Sequence, residues 1–238
     1  MYQLVGYHRP ETVEQATELL ADDARIVIAG GTAIRHDGGA SAVEVVDIQA
    51  LGLSDVSTDG DRVRIGATTT LHTVATHDDM PEVVRSAARL EQPSAMRTLA
   101  TVGGTIASPG NESLLLAALL VHATTVHFSD GRQTDLADLV ASGLDGGDLI
   151  VGIDIAASGN AAIARTGRTP ADVPIVGVVA RDAAGELRVA ATGVAPTVVL
   201  VDPEQLEQLE PASDFRGSTA YRRHLVEVLT ARAIGGLS

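Results

Sequence analysis

Two stretches decide how this chain reads: Arg25-Ile26-Val27-Ile28-Ala29-Gly30-Gly31-Thr32 and, much later, Thr98-Leu99-Ala100-Thr101-Val102-Gly103-Gly104-Thr105. In the first, a β-branched run stops at two glycines, the pattern of a strand ending in a tight turn. The second repeats the glycine pair after another apolar lead-in. Glycine lets backbone amides approach a ligand closely and tolerates positive φ. Successive amides in such a turn form a concave donor array suited to phosphate oxygens. Two arrays, with Thr32, Thr101 and Thr105 adding hydroxyl donors, would grip a diphosphate from both sides. Such a grip needs no cationic side chain, and the chain contains no Lys.

A glycine pair is also an ordinary tight connection, and this sequence has 24 glycines to make such connections with. Neither the glycine spacing of a dinucleotide-binding Rossmann unit nor a phosphate loop ending in Lys is present. Pattern alone therefore stops at a soluble α+β domain, with a phosphate-containing ligand as one of the readings open to it.

Outward from these stretches the order is mixed. Residues 11–22 place Val13, Ala16, Leu19 and Leu20 on one helical stripe. Residues 43–48 and 62–67 read as strands, with hairpin turn chemistry at Thr58-Asp59-Gly60-Asp61. Residues 82–90 and the apolar Leu114–His122 read as helices. Strands follow at 125–128, 149–155, 175–181, 186–192 and 198–201, with a hairpin at Asp182-Ala183-Ala184-Gly185. Residues 203–213 read as a connector, and Ser218–Ala233 as a helix with Tyr221, Leu225, Val228 and Leu229 on one face.

Composition narrows the function. The 238 residues suit two lobes, or one large domain with an appendage. The net charge of −14 repels nucleic acid phosphates, and no basic run overcomes it. The apolar stretch Leu114–Val121 is too short to span a bilayer and no targeting segment is evident, so a cytoplasmic protein without a membrane span is expected. Cysteine is absent. The chain therefore has no thiolate for an iron–sulfur cluster or for nucleophilic attack, and any redox chemistry must come from a bound organic cofactor or another polypeptide. The seven histidines form no metal-ligand spacing, and Ser108 and Ser113 have no neighbouring base. No metal site and no catalytic side chain is expected. Arg222, Arg223 and His224 read as a solvated helix face, with partner contact as the alternative, and Asp145-Gly146-Gly147-Asp148 as a loop.

The residues around the glycine pairs carry a resemblance. Tyr7-His8-Arg9-Pro10-Glu11-Thr12-Val13-Glu14-Gln15-Ala16 followed by Ala29-Gly30-Gly31-Thr32 resembles the opening of the FAD-binding (medium) subunits of molybdenum hydroxylases. These are the FAD subunits of carbon monoxide dehydrogenase, xanthine dehydrogenase and aldehyde oxidase. Asp47-Ile48, Ile65-Gly66-Ala67-Thr68-Thr69, Ala100-Thr101-Val102-Gly103-Gly104, Arg168 with Asp172, and Gly193-Val194-Ala195-Pro196-Thr197 recur in the family's order. So does Ser218-Thr219-Ala220-Tyr221-Arg222-Arg223-His224-Leu225 near the end.

The resemblance implies an α+β, two-subdomain FAD-binding fold of the vanillyl-alcohol oxidase type, plus a small C-terminal α/β domain. The FAD-binding domain would span 1–160, with lobes at about 1–50 and 51–160, and the C-terminal domain 161–238. It implies that Ile28, Ala29, Gly30, Gly31, Thr32 and Ala33, with Ala100, Thr101, Gly103, Gly104 and Thr105, wrap the diphosphate and ribityl chain. Glu112, in Ser108-Pro109-Gly110-Asn111-Glu112, would take the place of the acid on the ribityl hydroxyls, with Ser113 as the alternative. Ile150 would pack near the flavin ring. The implied role is electron relay from a molybdopterin-containing large subunit, through an iron–sulfur small subunit, to an external acceptor. Two other readings stand beside it: a trimmed scaffold subunit without tight FAD, and a stand-alone flavoprotein in a biosynthetic pathway. Thr105 stands where the family usually has Asn, and Ala33 where an acid or Ser is common. The segments between Gly104 and Ser108 and between Pro196 and Tyr221 are shorter than the family's.

Overall fold

The computed structural model describes residues 3–22, 24–32, 42–167, 169 and 172–237. Ala33 and Arg168 lie outside the described residues. The N-terminal lobe holds β1 (Gln3–His8), α1 (Val13–Leu20), β2 (Arg25–Ile28) and β3 (Ala42–Asp47). Its strands form a parallel sheet in the order β1-β3-β2. α1 begins where the Thr12 hydroxyl accepts the Gln15 amide at 3.3 Å, and it buries Ala16 and Leu20 against Val46, Ile48 and Leu149. β1 has no readable sequence signal, because Leu4, Val5 and Tyr7 are all exposed and no alternation marks it.

The second lobe runs through β4 (Val56–Asp59), β5 (Arg62–Gly66), α2 (Leu71–Thr76), α3 (Glu82–Glu91), α4 (Ser94–Arg97), α5 (Val102–Ala107), α6 (Leu114–Val121), β6 (Thr125–Phe128), β7 (Gln133–Asp135), α7 (Leu136–Ser142) and β8 (Ile150–Ala156). The expected hairpin joins β4 to β5, with Gly60 at φ +58°. All pairings are antiparallel, in the order β4-β5-β8-β6-β7. Every residue of α6 is buried, as its unbroken apolar sequence requires.

The third part contains β9 (Asn160–Arg165), β10 (Gly177–Ala183), β11 (Glu186–Thr192), β12 (Val199–Leu200) and α8 (Thr219–Gly235), with sheet order β12-β11-β10-β9. Period-two alternation splits this sheet between two layers. Val179 and Ala190 face the core around α6, whereas Val178, Ala180 and Ala191 face Val226, Leu229 and Ala233 of α8. The helix face differs from the one read from sequence: Tyr221 is exposed and Arg222 is buried. Arg222 turns inward because its guanidinium donates to the Ile175 and Gly193 carbonyls (3.0 and 2.9 Å) and pairs with Asp214 at 2.7 Å. It is a structural residue, not part of a solvated face.

A second difference concerns the later glycine pair. Gly103 and Gly104 do not sit in an open turn. They occupy the first turn of α5, where the Thr101 hydroxyl accepts the Gly104 amide at 3.1 Å and caps the helix. A helix start was not legible there, since two glycines lower helix propensity. Among the described residues, no helix is long and apolar enough to cross a membrane.

Candidate functional site

The end of β2 and the start of α5 meet across a cavity of about 570 Å³, a size typical of small-molecule sites. Ile28, Ala29, Gly30, Gly31 and Thr32 line one side. Thr101, Gly103, Gly104, Ala107, Ser108 and Pro109 line another, and Leu144, Asp148, Leu149 and Ile150 close a third. Both glycine segments, far apart in sequence, are thus brought together.

The glycines have different reasons for being glycine. A Cβ on Gly30 would stand 1.7 Å from the Leu99 carbonyl oxygen, so this residue lets the two segments touch. A Cβ on Gly103 would stand 2.8 Å from the Ala67 carbonyl oxygen, again a packing demand. Gly31 has φ +69°, a conformation that other residues resist. A Cβ on Gly104 would meet only its own capping hydroxyl, Thr101 Oγ1, at 3.0 Å.

The two segments also differ in what they offer a ligand. At α5 the amides are already used. Val102 donates to the Thr69 carbonyl (3.0 Å), Gly103 to the Ala67 carbonyl (2.8 Å), and Gly104 to Thr101 Oγ1. At the end of β2, no hydrogen bond among the described residues uses the amides of Gly30, Gly31 or Thr32. The free donor array therefore lies at the first glycine pair alone. The Thr101 hydroxyl accepts from Gly104 and so keeps its own proton to donate. None of the described lining residues is basic.

Three residues singled out in the sequence stand off the lining. Ala100 is buried, and its carbonyl accepts the Leu71 amide at 2.8 Å. Thr105 turns its hydroxyl back to the Thr101 carbonyl at 3.1 Å. Glu112 is ion-paired with Arg216 from the C-terminal part of the chain. Ser113, the alternative to Glu112, caps α6 by accepting the Leu116 amide at 3.0 Å. Conversely, Asp145-Gly146-Gly147-Asp148 is more than a loop: Asp148 joins the cavity wall and pairs with Arg132, whose guanidinium lies 4.3 Å from the centre of the Phe128 ring. Ile26, Val27, Ile48 and Ala67 also line the cavity. Ile26 and Val27 carried only a strand signal in the sequence, and Ile48 and Ala67 stood in family-like segments to which no site role was given.

A cavity of mixed apolar and polar lining, with unpartnered amides, a free hydroxyl and no basic side chain among the described residues, suits a grip on a diphosphate made by backbone and hydroxyl donors. Comparison with known proteins agrees. Residues 2–155 match the family model of the FAD binding domain in molybdopterin dehydrogenase, and the chain belongs to that family. FAD is accordingly its cofactor. The chain is 28% identical to the uncharacterized protein YgfM of Escherichia coli (strain K12), over 94% of this chain and 93% of that one. Carbon monoxide dehydrogenase from Hydrogenophaga pseudoflava has a chain that superposes with a TM-score of 0.86 at 22% identity, covering 100% of this chain and 98% of that chain. Quinoline 2-oxidoreductase from Pseudomonas putida 86 has one with a TM-score of 0.86 at 20% identity and the same coverage. The mixed α+β, two-subdomain fold with its C-terminal α/β part is the fold of these chains.

Proposed function

We propose that this chain is the FAD-carrying subunit of a multi-subunit molybdenum hydroxylase. It would pass electrons from a molybdopterin-containing large subunit and an iron–sulfur small subunit to an external acceptor. The observation that carries the reading is the cavity between the two glycine segments, with unpartnered amides at Gly30, Gly31 and Thr32. The absence of cysteine supports it, because clusters would then lie on other chains.

In this reading the amides of Gly30, Gly31 and Thr32, with the Thr101 hydroxyl, hold the diphosphate. Gly104 leaves room for it beside α5, and Ile28, Ala29 and Gly103 shape the wall. Leu149 and Ile150, apolar residues of the wall, would exclude water from the flavin. FAD, when bound, supplies the electron chemistry, while the protein positions it and tunes it by burial and hydrogen bonding. Ala100 and Thr105 act at one remove: Ala100 ties the segment entering α5 to the start of α2, and Thr105 bonds the Thr101 carbonyl at the start of α5. Glu112 remains a candidate for the ribityl hydroxyls, in exchange for its pairing with Arg216. The division into a FAD-binding domain over 1–160 and a C-terminal domain over 161–238 is part of the same proposal.

The test is direct. Purified protein, or protein given FAD, should show the visible bands of bound flavin, and should co-purify with a molybdopterin-containing and an iron–sulfur subunit. A colourless chain that takes up no FAD would sink the proposal. Flavin binding without those subunits would favour the stand-alone flavoprotein. Gly104→Val should abolish FAD retention, because the branched side chain occupies the space given to the phosphate. Full flavin content in that variant would place the phosphate elsewhere.

A further inference from the structure

The first glycine pair keeps its amides free, but a free amide serves a ligand only when it points at it. Glycine tolerates positive and negative φ alike, so the Ala29–Gly30 peptide meets little steric resistance to turning over. Turned over, it would present a carbonyl oxygen, which repels a phosphate, in place of a donor. β2 ends at Ile28 on the edge of its sheet, and the amides of Gly30, Gly31 and Thr32 make no hydrogen bond among the described residues. The direction of this peptide must be set from outside the turn.

Gln49 sets it. Its side-chain amide donates to the Ala29 carbonyl, and among the described residues no other side chain hydrogen-bonds the turn. A trans peptide unit is planar, with its C=O and N–H pointing in opposite directions. Drawing the Ala29 oxygen toward Gln49 therefore turns the Gly30 N–H away from Gln49. Gly30 lines the cavity and Gln49 does not. Gln49 is itself held from behind. Asp47, buried at the end of β3, accepts the Gln49 backbone amide at 3.0 Å on one carboxylate oxygen and the Tyr7 hydroxyl on the other. Ile48, between Asp47 and Gln49, packs with Ala16 and Leu20 of α1 and also lines the cavity. A buried carboxylate, a short turn and a side-chain amide thus lead from β1 and β3 to the glycine turn.

Resting on the FAD reading above, we propose that Gln49 is a positioning residue for FAD: it holds the Ala29–Gly30 peptide so that the Gly30 amide donates to the diphosphate. It touches no reacting atom and acts through the backbone alone.

Gln49 is exposed, so Gln49→Leu should leave the urea midpoint of the FAD-free chain unchanged. Titration of the purified full chain with FAD should show binding about three- to tenfold weaker in that variant, the range of one lost hydrogen bond. Gln49→Glu separates orientation of the peptide from simple contact. An ionised carboxylate only accepts, so near neutral pH it repels the Ala29 oxygen and should bind FAD no better than the leucine variant. Once protonated, the carboxyl regains a donor on a side chain of the same length. Measured against the unsubstituted chain at the same pH, its deficit should shrink as pH falls from about 7.5 to about 5, toward the carboxyl's own range. The deficit of the leucine variant should not. Leucine-variant affinity within about twofold of the unsubstituted chain would overturn the assignment. So would a glutamate deficit that does not shrink, or a urea midpoint that falls without FAD, which would make Gln49 a brace of the fold. Failure of the unsubstituted chain to bind FAD would instead bring down the reading on which the assignment rests.

Discussion

The four glycines facing one another across the cavity separate into a structural pair and a pair that serves the space between them. Gly30 and Gly103 are closed in by the backbone carbonyls of Leu99 and Ala67. Gly31 and Gly104 are limited by positive φ and by a capping hydroxyl. Substitutions should therefore part company. Gly30→Ala forces the two segments apart and should cost about 1–3 kcal/mol in urea denaturation, the usual range for overpacking. Gly104→Ala should leave stability within about 1 kcal/mol, because only a side-chain oxygen must give way. Equal destabilisation by both variants would refute the distinction. The sequence shows two similar Gly-Gly pairs and no hint of this difference. Which amides are spent depends on Ala67 and Thr69, residues that only folding brings alongside.

At the scale of elements, α6 shows how much a short segment can announce and how much it leaves to its neighbours. Its unbroken apolar run marks a buried helix. Its first turn nevertheless leaves amides that need acceptors. The Ser113 hydroxyl takes the Leu116 amide, and the Glu91 carboxylate, brought from the end of α3, takes that of Leu115 at 3.0 Å. Burial pushes the Glu91 pKa above the usual carboxylate range. Ser113→Ala should lower stability by about 1 kcal/mol, as loss of a cap does. An unchanged denaturation midpoint would show that Glu91 alone satisfies the helix start. Ser113 caps its own helix from the preceding position, whereas Glu91 comes from a distant one and nothing in residues 82–91 names its partner. The same limit hid α5 and the buried face of α8. In each, a long-range contact outweighed local propensity: the approach of Ala67 in one, the buried Arg222 network in the other.

Across the whole molecule, α6 packs its ends and faces into both the second lobe and the C-terminal sheet. His122, at its C-terminus, is fully buried, with Nδ1 2.6 Å from the Ala156 carbonyl and Nε2 without a partner among the described residues. Desolvation lowers its pKa from 6.5 to about 4. The unfolded chain therefore takes up a proton that the folded chain refuses. Stability should fall as pH drops from 6.5 toward 4, by up to about 3 kcal/mol, and this contribution should level off below that. Urea denaturation between neutral pH and about pH 4.5 checks this, and His122→Gln should flatten that part of the curve. An equally steep fall in the variant would assign the effect to other groups.

The sequence by itself determined the mixed α+β order, the buried helix, the hairpins, the glycine segments and the family that their order marks. These depend on local periodicity, on turn chemistry and on a chain-long succession of short motifs. Only the tertiary structure decided which glycine pair keeps its amides free, that Glu112 is held by Arg216, and that Asp148 belongs to the cavity wall. Each of those outcomes turns on which backbone carbonyl or charged group arrives from a distant segment. A hydrogen-bond donor has no preference for sequence neighbours over spatial ones, so its partner is settled only when the chain has packed.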